Sequence, residues 1–199
     1  MKNTHLEHLE DNILNGGSEG GREAVAFLRS LGKMLDQGVS EARVTVKWDG
    51  APAIICGVNP DNGRFFVGTK SVFNKVNPKI SYSEDDVERM YPPGQLAEKL
   101  KDAYKYLSTL SIPNVVQGDL LFTDDKYEAN IGGETCIAFQ PNTIVYAVPK
   151  DSDIGKKIED AKFGIVFHTQ YSGRTLDTMS ASFGNINIQG NTNVFVTSS

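Results

Sequence analysis

Apolar and polar residues follow two rhythms along this chain, and the rhythm changes several times. Over residues 3–15 the spacing is helical, with Leu6, Leu9, Ile13 and Leu14 on one face, and Gly16-Gly17 breaks it. Ser18 then opens a second helix over 19–36, with a stripe through Ala24, Ala26, Phe27, Leu28, Leu31, Met34 and Leu35, closed by Gly38. From Arg43 the period shortens to that of strands. The runs 43–46, 51–57 and 64–71 read as an antiparallel meander, the last two joined by the turn Asn59-Pro60-Asp61-Asn62-Gly63. A polar, proline-interrupted stretch covers 74–94. A third helix is expected over 95–110, with Leu96, Leu100, Ala103, Tyr104 and Leu107 inward, and Pro113 stops it.

The second half is richer in strands. Residues 114–122 have the continuous apolar pattern of a buried strand, interrupted by the pair Gly118-Asp119. A hairpin over 122–139 leads to a strand at 143–148, a short helix near 152–160 and a strand at 163–169. Tyr171-Ser172-Gly173-Arg174 makes a turn. From Gly184 a tail rich in Asn, Gly and Thr ends in the strand-like Asn193-Val194-Phe195-Val196. The fold class that follows is α+β, with mainly antiparallel sheets flanked by helices.

Composition narrows the picture. With 199 residues and 39% apolar content the chain can bury roughly 70% of its unfolded surface in one domain. No apolar run approaches the ~20 residues of a membrane span, and the N-terminus carries Glu7, Glu10 and Asp11, unlike a signal peptide. Cys56 and Cys136 lie in apolar strands as free thiols, with no second Cys or His at zinc spacing. A net charge of −5 argues against a dedicated nucleic-acid binder, so phosphate recognition would need a local patch. Lys70, Lys75 and Lys79 supply one, opposed by Glu84-Asp85-Asp86 or equally read as a solvated loop.

The chemistry centres on Lys47-Trp48-Asp49-Gly50, at the end of the run 43–46. An ammonium with a pKa of ~10.4 attacks only where its charge is disfavoured, so a nucleophilic lysine needs a built site. The bland alternatives are a lysine snorkelling over Trp48 and an ordinary Asp-Gly turn. Strand alternation sends Trp48 to the face opposite Lys47, towards the core.

In this order and spacing the chain resembles the covalent nucleotidyltransferases: ATP-dependent DNA ligases, RNA ligases and mRNA-capping guanylyltransferases. Lys47 to Gly50 looks like motif I, Thr69-Lys70-Ser71 like motif Ia, Gln117-Gly118-Asp119-Leu120 like motif III, and Phe163 to His168 like motif IIIa. The text from Leu6 to Tyr146 is also similar to ligase-like proteins of large tailed bacteriophages. The resemblance implies an adenylation domain that forms lysyl-AMP from ATP and passes AMP to a nucleic-acid 5′-phosphate. In that scheme Lys47 is the nucleophile, and Asp49 and Gly50 lie beside the nucleotide. Lys70 contacts phosphate or the acceptor strand, and Phe167, with Tyr146 as the lesser alternative, stacks on the purine, core packing of these aromatics being the competing reading. Asp119 replaces the usual glutamate as the contact to Mg²⁺. Lys47, Asp119 and Phe167 are expected to converge on one groove.

Departures from the family shape the expectation. Pro52 stands where DNA ligases carry arginine, which tilts the acceptor towards RNA. After Lys162 there is no lysine, one arginine (Arg174) and one carboxylate (Asp177), so motifs IV and V cannot be built, and no OB-fold domain follows. The expected layout is a single domain over 1–199, divided into a helical segment 1–42, a catalytic-like core 43–183 and a polar tail 184–199, and lacking a C-terminal part. The resemblance further implies a place in the bacterial host cytoplasm or on the virion. The alternative is an inactive nucleotide-binding or phage structural module with the same fold.

Overall fold

A computed structural model of the chain describes residues 9–37, 48–183 and 186–198. Its contacts divide into two compact units, Met1–Val46 and Lys47–Ser199. In the first unit, helix α1 spans Leu9–Gln37 and is broken at Gly17, whose φ of 56° and ψ of −134° lie outside helical geometry. The two helical stretches meet closely there: a Cβ on Gly20 would fall 1.8 Å from the carbonyl oxygen of Asn12, so only glycine fits. The break expected at Gly16-Gly17 is therefore present. The expected helical start at 3–8, the closing Gly38 and the strand 43–46 fall outside the described residues.

The second unit is built on a six-stranded sheet in the order β2-β1-β3-β7-β8, with β9 also pairing β7. Its strands are β1 (Ala53–Val58), β2 (Phe65–Gly68), β3 (Val115–Phe122), β7 (Phe163–Ser172), β8 (Ser180–Phe183) and β9 (Val194–Ser198). The β1–β2 hairpin is antiparallel as expected, with Ile55 opposite Gly68. Strand β9 runs parallel to the first half of β7, and antiparallel β8 pairs with the second half. The polar tail thus returns into the sheet. A second, three-stranded antiparallel sheet holds β4 (Tyr127–Ile131), β5 (Glu134–Phe139) and β6 (Tyr146–Pro149).

Helices α2 (Glu84–Met90) and α3 (Gln95–Leu107) cover one face of the large sheet. Leu100, Ala103 and Leu107 of α3 pack on Ile54, Cys56, Val116, Leu120 and Phe167. Leu96, expected inward, is 40% exposed, and Ala97 is buried in its place. Helix α2 lies in the stretch read as irregular. Ser83 caps it by accepting from the Asp86 N–H at 3.1 Å, a signal that the sequence carried.

The opposite face carries two apolar clusters. One gathers Ile55, Phe66, Val72, Val115 and Leu176. The other joins Leu121, Phe122 and Val166 to Ile137 and Phe139 of the small sheet and to Ile158 of α4 (Asp153–Asp160). Lys126 closes the end of α4, its Nζ donating to the carbonyls of Ile158, Glu159 and Ala161 at 2.5, 2.9 and 2.5 Å. Both cysteines are free and buried, and burial pushes the Cys56 thiol far above its usual range. No described helix is long and apolar enough to cross a membrane.

Candidate functional site

Gln117 and Asp119 share the face of β3 that also carries Val115 and Leu121, because strand side chains alternate. They form a polar strip between the two apolar clusters. The partner strand is irregular here: Gln117 pairs with Thr169 and Gly118 with Phe167, so His168 is an extra residue in a β-bulge. Gly118 permits this. A Cβ on it would fall 2.5 Å from the Val166 carbonyl oxygen and 2.8 Å from the Phe167 ring. A lone glycine within an apolar strand is the signal that could have located the bulge beforehand.

The His168 ring joins two groups. Its Nε2 lies 3.4 Å from Asp119 Oδ1, a long contact, and its Nδ1 lies 2.7 Å from Thr169 Oγ1. Both side chains of the His168–Asp119 pair keep some exposure, at 17% and 18%. Thr169 is buried. Beside it, the Tyr171 hydroxyl donates to Gln117 Oε1 at 2.7 Å, and burial raises the phenol above its ordinary pKa. The strip can therefore orient an imidazole against a carboxylate at a partly open position, whereas the Thr169 hydroxyl is sealed inside.

The segment Trp48–Pro52 runs alongside β3 and extends the β1 pairing. The Ala51 N–H donates to the Leu120 carbonyl at 3.0 Å, and the Leu120 N–H donates to the Pro52 carbonyl at 3.1 Å. A Cβ on Gly50 would lie 2.2 Å from that same Leu120 oxygen, so glycine is required by close approach. Asp49 is held by its backbone: its N–H donates to the Tyr146 hydroxyl at 2.7 Å, and that hydroxyl donates to the Asp49 carbonyl at 3.1 Å. Asn142 Nδ2 donates to the Asp49 carboxylate at 3.3 Å. Trp48 packs against the core, stacked on Phe139 at 6.2 Å and 5.1 Å from Tyr146 between ring centres.

Not every candidate residue meets the others. Lys47, the expected nucleophile, lies outside the described residues. Gly50 and Asp119 are brought together: a Cβ on Gly50 would lie 3.3 Å from the Asp119 carbonyl carbon. Phe167 is fully buried with Leu120 and Val116, on the face opposite Asp119, because it pairs with Gly118 and the next residue along β3 turns the other way. The expected shared groove for Asp119 and Phe167 is not formed, and Phe167 packs as core. Tyr146, the alternative for stacking, uses its hydroxyl to hold Asp49.

Lys70 is exposed on a 3-10 turn, Lys70–Phe73, where a strand continuation was expected. Thr69 caps the turn by accepting from the Ser71 N–H, which ends β2 early. Lys75 is exposed as well, and Lys79 lies over the Tyr91 ring at 4.9 Å. Among the described residues no three His, Cys, Asp or Glu side chains gather to hold a metal.

These features define an α+β protein with a mixed six-stranded sheet, a smaller antiparallel sheet and a glycine-anchored segment laid alongside the central strand β3. The chain belongs to a family of unknown function, DUF6267, whose model matches residues 3–199. No curated protein and no solved structure matches it.

Proposed function

We propose that the chain is a ligase-like nucleotidyltransferase in which Lys47 attacks the α-phosphorus of ATP. The lysine nitrogen forms a P–N bond and loses a proton, while the bond from the α-phosphorus to the pyrophosphate oxygen breaks. An oxygen of a nucleic-acid 5′-phosphate, on RNA in preference to DNA, then displaces the lysine, which regains a proton. The setting would be the cytoplasm of a phage-infected bacterium. The observation that carries this reading is the anchoring of Asp49 and Gly50 by Tyr146 and Leu120, which lays the chain directly after Lys47 against the β3 residues next to Asp119.

In this reading Asp119 would be the contact to Mg²⁺, since a partly exposed carboxylate can hold the ion directly or through its water shell. When bound, Mg²⁺ supplies neutralisation of phosphate charge. Lys70 would add positive charge from its exposed turn.

One observation favours a second reading, a module that binds nucleotide without transferring it. Beyond Lys162 the sequence has no lysine, a single arginine, Arg174, and a single acidic side chain, Asp177. Preorganised groups at a developing charge are commonly worth ~3 kcal/mol each, and the paired lysines of the ligases have no counterpart here. Mass spectrometry of the chain after incubation with ATP and Mg²⁺ separates the two. An AMP adduct on Lys47 supports transfer, whereas nucleotide binding without adduct, here and in any longer chain, leaves the binding module.

A further inference from the structure

Gln117 and Asp119 of β3 pair with Thr169 and Val166 of β7. Between these partners β3 has only Gly118, whereas β7 has Phe167 and His168. The surplus residue changes which side chains can touch. In a regular strand neighbours point to opposite faces, so His168 and Thr169 could not meet. A bulge turns two consecutive side chains to the same side and re-aims them. Here it brings His168 Nδ1 to 2.7 Å from Thr169 Oγ1.

The ring is thereby held from behind by a buried hydroxyl, and it carries its other nitrogen, Nε2, to 3.4 Å from Asp119 Oδ1. The polarity of this chain of groups follows from the acceptor at its end. An ionised carboxylate accepts hydrogen bonds and donates none, so the neutral ring must carry its proton on Nε2. Nδ1 is then an acceptor, and the Thr169 hydroxyl donates to it. The neighbouring amide does not compete, because Gln117 Oε1 is taken by the Tyr171 hydroxyl. Among the described residues, no side chain donates to Asp119 Oδ2.

We propose that His168 is a positioning residue for Asp119. Thr169 sets the ring, the Nε2–H group holds Oδ1, and Oδ2 is left for a divalent cation. A hydrogen-bond donor behind a metal-holding carboxylate fixes its orientation and lowers the side-chain freedom lost on binding. The separation of 3.4 Å is long for such a bond, and contacts of this kind tighten when a site is occupied. Both side chains keep some exposure, as access by an ion requires. The inference rests on the nucleotidyltransferase reading for the role of Asp119 and adds a residue that this reading does not use.

The test is titration of the full chain with Mn²⁺, a paramagnetic stand-in for Mg²⁺ with the same preference for oxygen ligands, read by electron paramagnetic resonance. His168→Leu, which keeps bulk and loses both nitrogens, should weaken Mn²⁺ binding about tenfold or more. His168→Gln places an amide donor close to the position of Nε2 and should recover most of the affinity. Asp119→Asn should lose it. The wild-type ring provides a check that needs no variant. Nitrogen–proton correlation spectra at about pH 8, where an ordinary imidazole is neutral, should show the His168 proton on Nε2. A proton on Nδ1, unchanged Mn²⁺ affinity in His168→Leu, an equal loss in His168→Leu and His168→Gln, or no Mn²⁺ binding by the wild type overturns the proposal. Adduct formation on Lys47 with ATP and Mg²⁺ that His168→Leu leaves unaffected also overturns it, while the transferase reading stands. Mn²⁺ binding that depends on His168 in a chain that forms no adduct supports the positioning role and favours the binding module.

Discussion

The hydroxyl of Tyr146 closes a two-way hydrogen bond on the backbone of Asp49, accepting from its N–H at 2.7 Å and donating to its carbonyl at 3.1 Å. A side chain of the small sheet thereby does for Asp49 what a neighbouring strand would do. The ring of Tyr146 also stacks on Phe139 at 5.4 Å, so the hydroxyl is aimed by packing. Tyr146→Phe keeps the ring and removes both bonds. It should lower stability by about 1–3 kcal/mol, the cost of leaving partly buried backbone groups unpaired, as read by urea denaturation. If Lys47 is the nucleophile, the same variant should lower the yield of adduct more than this loss of stability explains.

Gly50 offers a sharper test of the anchored segment. Gly50→Ala places a methyl 2.2 Å from the Leu120 carbonyl oxygen, and backbone must move to admit it. Destabilisation of about 3 kcal/mol is expected in thermal or chemical denaturation. Gly32→Ala in α1, where nothing lies within 4 Å, is the control and should stabilise by about 0.5–1 kcal/mol. Similar effects at the two positions would show that Gly50 is not under close approach.

Lys126 ties the loop after β3 to the end of α4 through three carbonyls. Burial and the nearby Lys162 pull its pKa below the ordinary value, so the carbonyls must outweigh a real desolvation cost to keep it charged. Lys126→Met retains the apolar stem and loses the cap. A loss of about 2 kcal/mol is expected, with faster amide exchange at the last turn of α4.

Asp102 on α3 gives the pH dependence. Burial raises its pKa above the unfolded value of ~3.9, so the native state holds the proton over a range where the unfolded chain has released it. In that window the native state binds more protons, and stability falls as pH rises through the raised pKa. Asp102→Asn should therefore match the wild type below the unfolded pKa and be the more stable protein above the folded one. Parallel stability curves for the two proteins between pH 3 and 7 would show that Asp102 titrates normally.

The two lysines of the proposed chemistry should separate cleanly. Lys47→Ala should abolish covalent labelling by ATP because it removes the atom that forms the bond. Lys70→Ala should only weaken labelling, since an exposed lysine on a 3-10 turn contributes charge alone. Labelling that survives Lys47→Ala would move the nucleophile elsewhere.

Much of the framework was legible in residue order because local spacing dictates it. The helix break at Gly17, the β1–β2 hairpin, the buried β3, the helices at 95–107 and 153–160 and the core role of Trp48 all follow from apolar periodicity and turn residues. Helix α2 was equally available, through Ser83 and Asp86, but prolines and acidic residues hid it among polar text.

What the tertiary structure decided is the pairing between distant segments. Residue order alone does not bring Tyr146 to Asp49 across 97 positions, set β9 parallel to β7, or show that the extra residue of the bulge is His168 and that it meets Asp119. It also cannot choose the face of Phe167, since a one-residue slip in register exchanges the two sides of a strand. Composition and periodicity act over a few residues, whereas these contacts depend on which strands become neighbours, and that is settled only when the whole sheet closes.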